Sequence, residues 1–450
     1  MIRFAKATTA AALATSLVGC GTSMGLMGAN GGVLGAKARN QAEWTFMLHL
    51  GAANNLEPFA GINLNEIEAA IDDKNVNFIV LFDGQKKGDS KIYRMVRDAN
   101  GNNKTLVSSV VDDKGAVIPS DTKEIDSGDV KTASRFTQWA IQNFPAKKYG
   151  YLMWDHGSGI FTPQGQRVNL GPSVDRSAVK RALAGNGMSA NGICWDDETG
   201  NHMTTAQFGD VVAAGAQAAG KPLDLVGFDA CLMAHVELVY QMKGNGLNMV
   251  ASEELEPGLG WDYMGWMKRL TANPAADGAL ASKYLVQAYG ESYKPGGNHA
   301  KDGREQEITL SAANYAALKN NLVPALNNLA SEMVAAMGSE KAAFQAARKA
   351  TQEFYNSDCG DVGSFLGQLG ANTRSARVKQ AVASTQQALA STVIAEVHNG
   401  KWTTEGTAGA TGLVIFFPET KYQWKEAYNN PAQIAFAAEG WRNFLVNFIK

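Results

Sequence analysis

Charge of one sign, long apolar runs and cysteine are all scarce in this chain, and each shortage removes a class of function. Lys plus Arg number 41 against 43 Asp plus Glu, a formal net charge of −2. That balance implies no polyanion-binding surface, so nucleic acid is not an expected partner. Beyond the first twenty residues no stretch approaches the roughly 18 continuous apolar residues that a membrane-spanning helix needs. No His/Cys grouping has zinc spacing, no glycine-rich loop matches a phosphate-binding loop, and no internal repeat is present. What is there is ordinary globular composition, 45% hydrophobic and 19% charged over 450 residues, ample for a large core.

Only four cysteines occur: Cys20, Cys194, Cys231 and Cys359. The first closes the opening stretch MIRFAKATTAAALATSLVGC, in which Arg3 and Lys6 precede an Ala/Leu-rich run and small residues. That is the layout of a secretory signal peptide. Its ending, Leu17-Val18-Gly19-Cys20, resembles a bacterial lipobox, in which the cysteine becomes the lipidated first residue. The expectation is a lipoprotein signal peptide over residues 1–19, lipidation at Cys20, and a place in the bacterial cell envelope. The membrane would then be reached through acyl chains alone. The glycine-rich residues 20–41 read as a flexible tether. With Cys20 lipidated, three cysteines remain, and an odd count in an exported protein leaves a thiol free. Cys194 and Cys359 are available to pair, which the sequence does not decide.

Folded sequence begins near Trp44. Short apolar runs at Trp44–Leu50, Asn77–Phe82, Tyr149–Trp154, Leu223–Phe228 and Leu247–Ala251 read as buried strands, with helical patterns such as Leu64–Ile71 and Ala133–Asn143 between them. Continuous apolar strands alternating with helices predict an α/β fold with a mostly parallel sheet covered on both faces. In such sheets the site forms beyond the carboxyl ends of the strands. Asp83-Gly84, Asp155-His156-Gly157 and Asp229-Ala230-Cys231 stand there. After residue 275 Ala-rich helical patterns run through Ala279–Tyr289, Ala312–Ala336, Glu340–Phe354 and Arg377–Val397. A strand, Thr411–Pro418, and a last helix, Ile434–Ile449, follow. The division expected is a catalytic part over 42–275 and a helical C-terminal region over 276–450 that returns a late strand to a sheet.

A cysteine peptidase needs a thiolate, an imidazole to exchange its proton, and donors for an oxyanion. If the strands ending in Trp154 and Phe228 are neighbours, His156 and Cys231 meet at one edge as a catalytic pair. The N–H groups of Gly157 and Cys231 would then form the oxyanion hole. A helix expected over Leu232–Met242 would put Cys231 near its N-terminus and lower the thiol pKa. Among the other histidines, His49 lies in an apolar strand and reads as core, while His202, His299 and His398 fall in polar loops. His235, on the expected helix, is the one rival to His156, but it points along the helix.

These residues also carry a family resemblance. The His-Gly and Asp-Ala-Cys elements, with GAANNLE (51–57), LNEIE (64–68), GICWDD (192–197), FDACLMAHVE (228–237), ASEELEPGLGWDY (251–263) and GLVIFFP (412–418), resemble the clostripain family of cysteine peptidases. The resemblance runs from about Ala42 to the C-terminus. It implies a caspase-like fold, peptide or protein substrates, cleavage after Arg or Lys, and no organic cofactor. Calcium dependence is known in the family, and Asp196-Asp197-Glu198 is an acidic turn here, of a kind usually just exposed; no metal site is assigned. The match in clostripain implies that Asp229 lines the pocket for the residue before the scissile bond. Asp262 and Glu254 are further candidates, with Glu253 and Glu256 beside them. The chain departs from its relatives at Ala52-Ala53-Asn54-Asn55, where they often carry an acidic residue, and the departure is expected to leave the dyad untouched. Family members mature by cleavage in the interval after the histidine. Phe161–Asn191 offers Arg167, Arg176, Lys180 and Arg181 for such self-cleavage. Two rival readings are a catalytically silent lipoprotein that binds through the same fold, and a peptidase specific for Asn or Asp.

Overall fold

The computed structural model describes residues 41–160, 192–300, 307–400 and 406–450. Gln41–Lys450 form one compact unit, which is the one described here. The lipidation site and all four self-cleavage candidates lie outside the described residues.

Five strands form the parallel centre of the sheet: β1 (Ala42–Gly51), β2 (Val76–Asp83), β5 (Ala146–Trp154), β6 (Leu225–Asp229) and β7 (Asn248–Ala251). Antiparallel strands extend both flanks. They are β3 (Lys91–Arg94) and β4 (Ser109–Val110) on one side, and β8 (Ile308–Asn314) and β10 (Val393–Asn399) on the other. The order across the nine strands is β10-β8-β7-β6-β5-β1-β2-β3-β4.

Alternation within the central strands divides the core. Trp44, Phe46, Leu48 and Leu50 of β1 pack on one face with α1 (Glu57–Ala70), α5 (Tyr263–Ala272) and α6 (Gly278–Ser292). Met47, with Tyr149, Tyr151 and Met153 of β5, packs on the other with α2 (Val130–Asn143) and α3 (Thr205–Ala219). Both sides of each strand are therefore apolar, as a doubly covered sheet requires. Local chemistry starts the helices where they start: Asp129 accepts the Lys131 and Thr132 N–H groups, and Thr204 forms a capping box with Gln207.

The C-terminal half returns a late strand to a sheet, as expected, and departs from expectation in two places. The late strand, β11 (Val414–Phe416), joins β9 (Cys359–Asp361) in a separate two-stranded sheet. The main sheet receives β8 and β10. The segment read as one helix over Arg377–Val397 is helix α9 (Ala376–Thr392) followed directly by β10. The patterns at Ala312–Ala336 and Glu340–Phe354 resolve into the end of β8 and one long helix, α7 (Val323–Lys349). α8 (Val362–Asn372) and α10 (Gly440–Phe448) complete the helical part.

Candidate active site

β5 and β6 are parallel neighbours with Trp154 opposite Asp229. His156 follows Trp154 by two residues and Cys231 follows Asp229 by two, so the register delivers both to one height beyond the strand ends. They line the same cleft, with Leu56, Leu255, Glu256 and Pro257 among its other walls.

The histidine is held from behind. Its N–H donates to Asp155 Oδ1 at 2.5 Å, and Asp155 is fixed in turn by Asn54 Nδ2 at 2.7 Å and by the Trp195 N–H. The ring Nε2 lies 2.7 Å from Asn55 Oδ1. An amide oxygen only accepts, so Nε2 carries the hydrogen and Nδ1 keeps its lone pair. One edge of the ring stays open to the cleft, yet the protein around it disfavours the charged form and lowers its pKa to about 4. The imidazole is therefore neutral at neutral pH. The Ala52–Asn55 departure was expected to leave this residue alone. Instead Asn55 is bonded to it, because the turn after β1 crosses the end of the neighbouring β5.

The helix expected at Leu232 begins four residues later, as α4 (Val236–Gln241). Residues 230–235 form a turn in which Leu232 takes a left-handed φ of 65°, a conformation uncommon for a branched side chain. Cys231 thus has no helix N-terminus beneath it. The group that meets its Sγ is the Glu256 N–H, at 3.3 Å. Gly157 packs so tightly on the same turn that a Cβ there would lie 2.6 Å from the Cys231 carbonyl oxygen.

Of the specificity candidates Asp229 and Glu256 reach the cleft. Asp229 accepts from Trp261 N at 3.1 Å and Tyr263 Oη at 2.9 Å, and burial raises its pKa to about 7. Asp262 instead caps α5 through the Gly265 N–H at 2.8 Å, and the Glu254 carboxylate accepts from Leu255 N at 2.7 Å. Glu253 is buried against Asp361 and takes the Gly412 N–H at 3.0 Å. Glu256 lines the cleft beside Asp229, and Asp155, already bonded behind His156, is the third acid there. The place of Glu256 beside Asp229 depends on the fold of the loop after β7, which no pattern in the chain encodes.

Cys194 and Cys359 are separate buried free thiols, both raised in pKa by burial, so they do not pair. His49 is core, as expected: it bonds Tyr151 Oη at 3.1 Å, and burial lowers its pKa to about 4. His235 is buried at the start of α4, 3.7 Å from Glu237, and does not line the cleft. Two other histidines are not in open loops: His398 lies in β10, and His299 is buried.

Among the described residues, Glu66, Asp262 and His299 bring potential metal-ligand atoms within 4.8 Å of one another. His299 Nε2 lies 2.6 Å from Glu66 Oε1, so the two already engage each other. Burial opposes the imidazolium most strongly, but the Glu66 bond together with the charges of Glu66, Asp262 and Asp229 outweighs it and the pKa rises. In the acidic turn, Asp196 spends both oxygens on the N–H groups of Ser127, Glu198 and Thr199 at 2.9–3.2 Å. It staples a loop, and it is buried.

Residues 48–447 match the family model described as the clostripain family. A clostripain from Hathewaya histolytica is 26% identical over 272 residues, covering 52% of this chain and 43% of the relative. The chain thus spans less than half the length of that relative. A secreted C11 cysteine protease from Bacteroides thetaiotaomicron, in complex with an irreversible peptide inhibitor, superposes with a TM-score of 0.62 at 18% identity. That likeness covers 89% of this chain and 100% of the other. An inactive zymogen C11 protease from Parabacteroides distasonis gives a TM-score of 0.59 at 14% identity, over 90% and 99% of the two chains. Both likenesses are of fold.

Proposed function

The chain belongs to the clostripain family, and from that premise we propose that it is a cysteine endopeptidase with Cys231 as nucleophile and His156 as base. The observation that carries the reading is the shared cleft at the ends of β5 and β6. Nδ1 of the neutral imidazole takes the thiol proton as Sγ attacks the scissile carbonyl. The N–H groups of Gly157 and Cys231 receive the oxyanion. The C–N bond breaks as the imidazolium protonates the leaving amine, and water then hydrolyses the thioester.

Cleavage after Arg or Lys is the specificity that the acidic cleft wall favours. A guanidinium or ammonium entering there meets a carboxylate, whereas an aspartate side chain would meet like charge. On the side of maturation, we propose self-cleavage at one of Arg167, Arg176, Lys180 and Arg181. On the side of location, we propose lipid anchoring at Cys20. No helix among the described residues is long and apolar enough to cross a membrane.

The decisive experiment is turnover of fluorogenic peptides by folded Cys231→Ala and His156→Ala proteins, alongside labelling of the wild type by an acyloxymethyl-ketone probe. Loss of turnover in both variants, with labelling confined to Cys231, is expected. Retained turnover in either variant defeats the assignment, and an unlabelled, inactive wild type favours a silent binding protein.

A further inference from the structure

Asp229 and Glu256, two of the three acids that line the cleft, are not equivalent to a lone carboxylate. Asp229 has defined donors in Trp261 and Tyr263. Glu256, only 7% exposed, has no well-formed hydrogen bond to either carboxyl oxygen. A buried acid with poorly placed donors is costly to charge; the Asp229 carboxyl lies against this one, with the Trp261 indole and the Ala230 N–H also near it. The close fit of Gly260 keeps them together: at φ +61°, a Cβ there would sit 2.6 Å from Asp229 Oδ1.

We propose that Asp229 and Glu256 form one specificity element that shares a proton when empty and gives it up when the cationic side chain of the substrate enters. This rests on the basic-specificity reading above and adds the second acid and the proton to it. The balance is simple. The empty pair holds one proton and one negative charge, the substrate brings one positive charge, and the displaced proton leaves to solvent, so two carboxylates face one cation.

The nearest groups that favour a charge on Glu256 are the Trp261 indole and the Ala230 N–H, both neutral. Tyr263, Tyr289 and Tyr293 face the pair as phenols whose pKa burial raises well above the ordinary value. The His299 imidazole is engaged by Glu66, and Asp262, capping α5, adds further negative charge nearby. Cys231 stands on the open side. Burial raises Asp229 to about 7 and Glu256 well above the carboxylate range. The two titrate as a unit, so apparent values belong to the pair.

The sign follows. At acid pH the pair is neutral and attracts a cation weakly. As pH rises through neutrality it becomes charged, and selectivity for a basic residue over a neutral isostere should rise with it. The experiment measures kcat/KM from pH 5.5 to 8.5 for two peptides that differ only in Arg against citrulline before the cut. Taking their ratio cancels the titration of Cys231 and His156. The ratio should climb by about tenfold across neutrality in the wild type. In Glu256→Gln the ratio should be smaller and flat with pH, whatever the absolute rate on the citrulline peptide. Glu256→Asp, which restores an acid, should restore the slope.

A wild type that cleaves both peptides equally at every pH overturns the basic-specificity reading and this inference with it. A wild type that prefers Arg with a flat ratio, or a Glu256→Gln protein with an unaltered ratio, overturns this inference alone. Should Glu256→Gln fail to fold, the wild-type slope decides.

Discussion

The contact between Asn55 and His156 yields the sharpest mutational forecast. Asn55→Ala removes one neutral hydrogen bond from an imidazole with an open edge, a loss of about 0.5–1.5 kcal/mol. If the whole loss appears in the orientation of Nδ1, kcat/KM should fall by about twofold to tenfold. Asn55→Asp tests the same contact with the opposite electrostatics. A carboxylate on Nε2–H stabilises the imidazolium and should raise its pKa by about 1–3 units. The base must be neutral to accept the thiol proton, so activity survives only above its pKa. Burial lowers that pKa to about 4 in the wild type, and the acid limb of the kcat/KM profile should therefore lie well below the ordinary histidine range. In Asn55→Asp the limb should move up in pH, while in Asn55→Ala it should stay low with a reduced plateau. Profiles of the three proteins on one neutral substrate provide the assay, since a neutral substrate removes the contribution of the acidic wall. An unmoved acid limb in Asn55→Asp, or full activity in Asn55→Ala, would refute the reasoning.

Gly157→Ala should cut kcat by a factor of ten or more with the protein still folded, because its Cβ would be driven to 2.6 Å from the Cys231 carbonyl oxygen and a displaced oxyanion donor costs about that much or more; kinetics with circular dichroism check it, and normal kcat counts against the oxyanion assignment. Self-cleavage predicts that the wild type resolves into two chains on a denaturing gel while Cys231→Ala stays whole. Replacing Arg167, Arg176, Lys180 and Arg181 together should also keep it whole, and a fully active single-chain wild type rules the step out. Cys20→Ser should release the protein from the membrane fraction or block its maturation, and unchanged partitioning in that variant rules out the anchor.

The parallel centre of the fold was legible because β1, β2 and β5 are nearly continuous apolar runs that need cover on both faces, and such runs announce themselves whatever their partners. β8 was not. Its sequence ITLSAAN is half small residues, which suit a strand squeezed between β7 and β10 but carry no strand signature of their own. β10 was lost because α9 runs into it without a break: the C-cap position of the helix is Val393, already the first residue of the strand. Pattern reading has no purchase on a boundary that lacks a turn residue. The strand at 414–416 was recognised and its partner was not, since pairing with β9 is a long-range choice that apolar character alone leaves open.

The site divides in the same way. His156 and Cys231 each close a strand pattern, so residue type and position were both visible in the chain. Asn55 and Glu256 belong to turns after β1 and β7, and their places beside the pair depend on how those turns fold back over β5 and β6. The C-terminal half bears on the same turns. Asn356 Nδ2 donates to the Ser158 carbonyl at 3.2 Å, two residues after His156. Val414 N–H donates to the Ala234 carbonyl at 2.9 Å, three residues after Cys231, and Gly412 N–H reaches Glu253 in the loop that supplies Glu256. The loops after β5, β6 and β7, three of the four that line the cleft, thus each have a bond from beyond residue 350. Loops are ordinarily the least rigid parts of an α/β fold, and a pair that must hold Nδ1 and Sγ in line cannot rely on strand ends alone. On the proposed mechanism the helical half acts on the chemistry by fixing the turns: β11 makes one of these bonds through Val414, and Gly412, just before it, makes another.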